Sequence, residues 1–396
     1  MKRTIAVLVL LTLVIGLFTG CSQNSQAGTE QVIKIGIYEP FTGKNASGGK
    51  QEALGIAYAN SIQPTVTIDG TTYRVELVVA DNESSVEKAP TAATTLVDHG
   101  VSVVLGPHGS DVALAGSSVF EAAGIPVLGV TCTNPAITAG NQHFFRICWL
   151  DTFQGSVLAK FAEEQLNATT IYCLAEQGDN YSAGLCSYFI EKFIALGGTV
   201  VYETYPAGTT DFAPYLSAAQ RAGAEVFFAP VSIESAVWIT AQAGELNLGM
   251  PILAGDTWDS NVVAAAGRNA KQDIYVTTFF DENIQDEAGK AFVKGFQEYI
   301  SSLDSRLKHN GGNTMVSAVS AMGYDAYFTV LEAMKNAKST EPEAIREALW
   351  NTTYSGITGE IAFDSEYGDA VRNTAFIKKV NKDFGTWEFI TVQSIG

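Results

Sequence analysis

Beyond residue 31 the chain alternates between two kinds of segment. Short runs rich in Val, Ile and Leu, without strict polar alternation, stand at 32–38, 73–80, 101–105 and 125–130. Longer mixed segments with a helical period lie between them at 49–60, 86–98 and 111–123. Apolar runs of this kind are what parallel strands need when helices cover both faces of their sheet. Gly124 ahead of Pro126 marks a turn, and Gly197-Gly198 stops a helix. After residue 150 the alternation resumes, with a helix over 152–165, a strand over 170–175 and a helix ending at Leu196. Strands follow at 200–205, 226–229, 252–254 and 274–278, with helices between them. Residues 315–335 predict a long amphipathic helix. Thr340-Glu-Pro-Glu343 has capping-box spacing with Pro inside the first turn, so another helix is expected to start there. Each half thus predicts an open α/β domain, and a cleft between two such domains is the natural place for a ligand.

The first twenty residues break this pattern. Lys2 and Arg3 precede an apolar run over 5–17, and Phe18-Thr19-Gly20 leads to Cys21. A charged start, a short apolar stretch and small residues at its end describe an export signal. The run is short for a membrane span. Its ending resembles a bacterial lipoprotein signal. That resemblance implies removal of residues 1–20, a lipid on Cys21 and a polar tether over 21–31. The chain would then be exported and lipid-anchored at the outer face of the cytoplasmic membrane.

Composition changes the picture in two ways. The chain carries 24 Lys and Arg against 42 Asp and Glu, a net charge of −18. Such a charge repels nucleic acid and anionic lipid, which excludes nucleic-acid binding from the expected functions. Besides Cys21 there are Cys132, Cys148, Cys173 and Cys186. An exported chain with four cysteines allows two disulfides, and buried free thiols serve equally well in a chain with cores this large. No CxxC or Cys/His spacing marks a metal site, and neither metal nor cofactor is expected.

Several stretches invite chemistry. Gly43-Lys-Asn-Ala-Ser-Gly-Gly-Lys50 looks like a phosphate loop, but Lys50 comes one place late and Gln51 stands where Ser or Thr would hold magnesium. His108, Ser110 and Asp111 sit in one turn, whereas a catalytic triad converges from separate places. No other nucleophile–base pair stands out, so the chain does not read as an enzyme. Gly106-Pro-His-Gly-Ser110 reads better as a strand-to-helix loop. Gly109, the Ser110 hydroxyl and the helix start would favour a carboxylate, unless Ser110 merely caps the helix. Thr131-Cys132-Thr133-Asn-Pro135 follows the next strand and would add hydroxyls and backbone N–H groups to the same pocket, or form an ordinary turn before Pro. Asp256 either pairs with an ammonium or caps a helix. Tyr181 and Trp258 offer rings to stack on a ligand or cation, with interdomain packing the alternative for Tyr181.

Taken together these residues resemble the leucine/isoleucine/valine-binding family of ABC-transporter receptors, with a type I periplasmic-binding fold. The resemblance rests on Ile35-Gly-Ile-Tyr-Glu-Pro-Phe-Thr-Gly43, Val104-Leu-Gly-Pro-His-Gly-Ser110 and Thr131-Cys-Thr-Asn-Pro135. It continues through Phe145-Arg146 with Asp151 and Gln154, then Asp211-Phe212 and Met322-Gly-Tyr-Asp-Ala326. It implies a two-lobed Venus-flytrap, each lobe an open, mostly parallel sheet flanked by helices, with three crossovers near Trp149, Thr278 and Gly359. The lobes would be 32–149 plus 279–358 and 150–278 plus 359–396. The family's pattern places the ligand α-carboxylate on Ser110, Thr131 and Thr133, the α-ammonium on Asp256, and a closing ring at Tyr181. It implies a monomeric receptor that hands a small molecule, an amino acid or related acid or amide, to ABC permease subunits. A ligand-sensing lipoprotein that signals to a membrane partner is the alternative. The chain departs from the pattern at Gly48 and near Val231, where branched-chain binders often carry aromatics, and at Glu83 and Gly109, where they carry a disulfide. A reshaped side-chain pocket is the expected result.

Overall fold

The computed structural model describes residues 30–283 and 286–395. The signal segment, Cys21 and nearly all of the tether lie outside the described residues. Two large sheets carry the fold. The first comprises β1 (Val32–Glu39), β2 (Thr65–Ile68), β3 (Thr71–Asp81), β4 (Val103–Leu105), β5 (Val127–Gly129) and β6 (Phe144–Arg146), in the order β2-β3-β1-β4-β5-β6. All its pairs are parallel except β2–β3, a hairpin turned at Asp69-Gly70. Both turn residues have positive φ, 47° and 80°, the conformation that a two-residue hairpin matched to strand twist requires.

The second sheet is built from β7 (Thr170–Glu176), β8 (Thr199–Tyr205), β9 (Val226–Phe228), β10 (Ile252–Ala254) and β11 (Ile274–Thr278). After a small separate hairpin of β12 (Tyr354–Gly356) and β13 (Gly359–Ile361), two antiparallel strands complete its edge: β14 (Thr374–Asn381) and β15 (Thr386–Ser394). Sequence patterning predicted neither these two strands nor β2. Strand centres such as Ile35, Leu105, Ile171 and Leu253 are fully buried, as the non-alternating apolar runs require.

Two details place the functional residues. Helices Ala46–Ile62 and Ala318–Ala337 approach closely because Gly55 lies against the Ser320 carbonyl and Gly323 against the Glu52 carbonyl, where a Cβ would collide. The Ser320 hydroxyl donates to the Gln51 carbonyl at 2.7 Å. Glu52 is thereby held inside the first lobe, fully buried. The second detail concerns the helix expected from Thr340. It runs Pro342–Leu349, and its N-cap is Glu341 with no side-chain cap. Proline at the first helical position moves the start one residue beyond the spacing signal. The four described cysteines are free and buried.

Candidate functional site

The carboxyl ends of β1, β4 and β5 share one edge of the first sheet, as strand order dictates, and the loops beyond them carry Lys44, His108–Ser110 and Thr131–Asn134. Ligands of open α/β sheets bind at such edges. Across from these loops stand the segments that follow β7, β9 and β10, so polar contacts join the lobes here. Lys44 Nζ reaches Glu176 Oε1 at 3.0 Å and Asp179 Oδ2 at 2.8 Å. Asp111 Oδ1 accepts from Asn180 N at 3.0 Å. Asn45 Oδ1 accepts from Ile233 N, and Asn134 Nδ2 donates to the Asn180 carbonyl. Burial raises the Asp179 carboxyl, and Lys44 together with hydrogen bonds from Ser182 more than offsets this, holding it below its ordinary value.

A cavity lies between the lobes. Gly109, Ser110, Thr131 and Tyr181 line it, together with His108 and Lys44. Gly109 precedes the helix Ser110–Ala122 with φ 116°, a conformation that favours glycine. The Ser110 hydroxyl does not cap that helix; it accepts from Asn134 N at 3.2 Å, tying the two first-lobe loops together. Asp256 caps nothing either. Its Oδ1 accepts from Gln154 Nε2 at 2.7 Å and from the Tyr181 hydroxyl at 2.8 Å, which places it directly behind the Tyr181 ring. Four expected residues stand back from the cavity wall: Asp256, behind Tyr181, and Cys132, Thr133 and Trp258. Cys132 points its thiol into the core and Thr133 is wholly buried. Trp258 is wholly buried among the second lobe's core residues, its indole N–H donating to the Val231 carbonyl at 3.1 Å. That bond consumes the ring's polar handle, so stacking on a ligand is not its place in this fold.

Sequence reasoning missed a buried acidic group behind the cavity. Glu39 Oε2 accepts from His108 N at 2.8 Å, and Glu52 Oε2 accepts from the Thr131 hydroxyl at 2.5 Å. Thr131 Oγ1 also meets His108 Nδ1 at 2.9 Å. Burial and the neighbouring Glu52 push the Glu39 carboxyl well up. Burial lifts Glu52 to about 7, Asp151 to about 8 and Asp256 to about 6. The same burial pulls His108 down to about 4, so its ring is neutral. Glu52 gave no signal, being one acid among helical positions. Lys44 lay inside a stretch already singled out, but only the fold shows it paired with Asp179.

These carboxyls set a pH dependence. Their folded pKa values lie above the unfolded ones, so between about pH 4 and 8 these four carboxyls hold more protons in the folded chain than in the unfolded one, and His108, shifted down, offsets part of this below about pH 6.5. Stability is fully present below that window and is lost as pH rises through it. The melting temperature of the ligand-free protein is expected to be higher at pH 5 than at pH 8 by on the order of 5 °C. A midpoint that is flat or rises over that range, measured by calorimetry in matched buffers, would count against this buried acidic group.

Comparison with known proteins bears on the family and the fold. A family model described as periplasmic binding protein matches residues 32–384. A leucine-, isoleucine-, valine-, threonine- and alanine-binding protein of Pseudomonas aeruginosa is 26% identical over 344 residues, 85% of this chain and 87% of that one. Among solved structures, a leucine binding protein of Thermotoga maritima superposes with a TM-score of 0.82 at 30% identity, covering 92% of this chain and 99% of its own. A branched-chain amino acid transporter substrate binding protein of Streptococcus pneumoniae, in complex with isoleucine, gives 0.80 at 25% identity, covering 92% and 99%.

Proposed function

The chain belongs to the periplasmic binding protein family, and from that premise we propose that it is the receptor of an ABC importer for an α-amino acid held between its lobes. Members of this family are binding proteins rather than enzymes, and the two-lobed α/β fold is theirs. The observation that carries the amino-acid reading is the division of labour across the cavity. The first lobe offers Gly109, Ser110 and a helix N-terminus to a carboxylate. The second offers Tyr181, with the buried Asp256 behind it, to an ammonium. A ligand touching both halves stabilises the closed arrangement in which Lys44 meets Glu176 and Asp179, and a permease can read that arrangement.

The finer assignments form part of the same proposal. The lobes are 32–149 with 279–358, and 150–278 with 359–396, in keeping with the separate membership of β1–β6 and of β7–β11 with β14–β15. Lipidation at Cys21 keeps the receptor beside its permease, and the unit is a monomer. Among the described residues no helix is long and apolar enough to cross a membrane.

The test is a thermal-shift screen of the purified protein against amino acids and small acids and amides. A ligand that binds only the folded state raises the midpoint by mass action, about 2.7 kcal/mol at a hundred times its dissociation constant. An α-amino acid is expected to give the largest shift and to be recovered unchanged. Shifts only from compounds lacking an ammonium would remove Asp256 from the site.

A further inference from the structure

A buried carboxyl stands behind the loop that would hold the ligand's carboxylate, and it bears on how that end of the ligand is bound, an inference that rests on the amino-acid reading of the same cleft. Thr131 lines the cavity. Directly behind it, Glu52 Oε2 accepts from the Thr131 hydroxyl at 2.5 Å. Glu52 itself is wholly buried, so the ligand does not touch it. A carboxylate seated on Ser110 and Thr131 would nevertheless lie roughly 5 Å from it, the span of two hydrogen bonds through one hydroxyl.

The surroundings of Glu52 give its charge no counterweight. From β1 Glu39 shares a hydrogen bond with it, and from the loop after β4 the His108 ring comes within 4.0 Å. Among the described residues that ring is the only basic group so close, and it is neutral. The loop after β5 contributes Thr131 and the un-ionised Cys132 thiol, and the helix Ala318–Ala337 meets the Glu52 backbone with Gly323. Across the cleft Asp256 adds a further negative charge. Burial, the largest cause, holds the Glu52 carboxyl at about 7, so near neutral pH it is divided between its two forms.

The two forms treat an incoming carboxylate differently. Ionised Glu52 is a like charge in a site short of water, and two carboxylates so placed favour protonation of one of them. It also keeps the Thr131 proton, leaving that hydroxyl only lone pairs to show the ligand. Protonated Glu52 carries no charge and needs no proton from Thr131, whose hydroxyl is then free to donate. The ligand's ammonium goes to the second lobe, farther from Glu52 than the carboxylate, and so offsets only part of this.

We propose that Glu52 is a positioning residue for the ligand's carboxylate: it takes up a proton as the ligand binds, and so releases the Thr131 hydroxyl to donate to that carboxylate. Binding and protonation are therefore linked. The complex holds more protons than the free protein, and affinity falls as pH rises through the range in which Glu52 ionises. This limb is opposite in sign to the one set by Asp256, whose carboxyl must ionise to hold the ammonium.

The experiment is calorimetric titration of the purified protein, dialysed free of ligand, with the standard protein amino acids in turn. The tightest binder is then titrated at pH 6.5, 7.5 and 8.5 in buffers that differ in heat of ionisation, which reads the protons taken up. About half a proton per ligand is expected to be taken up at pH 7.5, and the dissociation constant to rise about tenfold from pH 6.5 to 8.5. Glu52→Gln, neutral at every pH, is expected to abolish the uptake and flatten the profile, with melting curves to check that it folds. Should it fail to fold, carbon-13 spectra of the unaltered protein labelled at glutamate give a second readout. One carboxyl titrating near pH 7 is expected to titrate higher once ligand is bound, and the lack of such a carboxyl would overturn the proposal. No uptake at pH 7.5 in the unaltered protein, or an uptake that Glu52→Gln keeps, would overturn it too while leaving the amino-acid receptor intact. Binding of none of the amino acids would overturn the amino-acid reading beneath it as well.

Discussion

Replacing Asp256 by Ala is expected to weaken an α-amino-acid ligand by about 2–5 kcal/mol, the range for truncating one partner of a buried, hydrogen-bonded charge pair. That is roughly a 30- to 4000-fold rise in dissociation constant. Asp256 is 2% exposed, and burial alone makes its charged form expensive, lifting its carboxyl to about 6. Bonds from Gln154 and Tyr181 offset part of that cost. An ammonium beside it would supply what those neutral donors cannot, a full opposite charge inside a desolvated cleft. Without the carboxylate the ligand's ammonium would be buried unpaired, which is why the loss exceeds the worth of one hydrogen bond. Asp256→Asn separates charge from shape. It can still accept from Tyr181, so it should fold normally yet lose most of the affinity. Because only the ionised carboxyl pairs with the ammonium, affinity should also fall about tenfold per unit as pH drops below about 6. An Asn variant that binds as tightly as the unaltered protein, with no such pH dependence, would show that the ammonium is held elsewhere.

Much of this site was legible before the fold, and the rest was hidden for identifiable reasons. Ser110, Thr131, Tyr181 and Asp256 could be picked out because each follows an apolar run or opens a helix, and strand ends are where open sheets bind ligands. Chain order does not reveal which way a side chain turns at such an end. Trp258 sits two residues after Asp256, yet it turns into the core and gives its N–H to Val231. Glu52 lies inside a helix, and its place beneath Thr131 comes from packing against Ala318–Ala337, more than 260 residues away in the chain. The pattern of the sheets was plain where strands are covered on both faces. β15 escaped notice because an edge strand leaves many side chains half exposed, as Phe389 and Val392 are here, while β14, inside the sheet, is interrupted by Lys378 and Lys379, so neither has a continuous apolar run. The β2–β3 hairpin did carry a local signal, Asp69-Gly70 between β-prone segments, and that dipeptide is the strongest short-range mark of a tight hairpin.

The largest effect on stability is expected at Arg146, where the chain leaves the first sheet. This side chain is fully buried. Its Nε donates to Asp369 Oδ1 at 2.5 Å, Nη1 to the carbonyls of Cys132 and Asn134 at 3.1 and 2.8 Å, and Nη2 to the Thr138 hydroxyl at 2.5 Å. One guanidinium thus holds the loop that carries Thr131 and joins it to the late segment around Asp369. The backbone reinforces the join, with Arg146 N donating to the Gly368 carbonyl and Ala370 N to the Arg146 carbonyl. Arg146→Met removes every donor and leaves a carboxylate and two carbonyls buried near an apolar chain. Removing one partner of a buried pair costs about 3–5 kcal/mol, to be read as a fall in the urea midpoint at constant slope. Arg146→Lys should recover little, since a single ammonium cannot reproduce the planar fork. The double variant Arg146→Met/Asp369→Leu should regain a substantial part, because it also removes the stranded charge, and the two changes will be non-additive. A single variant costing under about 1 kcal/mol would mean that water reaches Asp369 when the arginine is gone. The Thr131–Asn134 loop would then be held chiefly by its own backbone, and ligand affinity in Arg146→Met should stay unchanged.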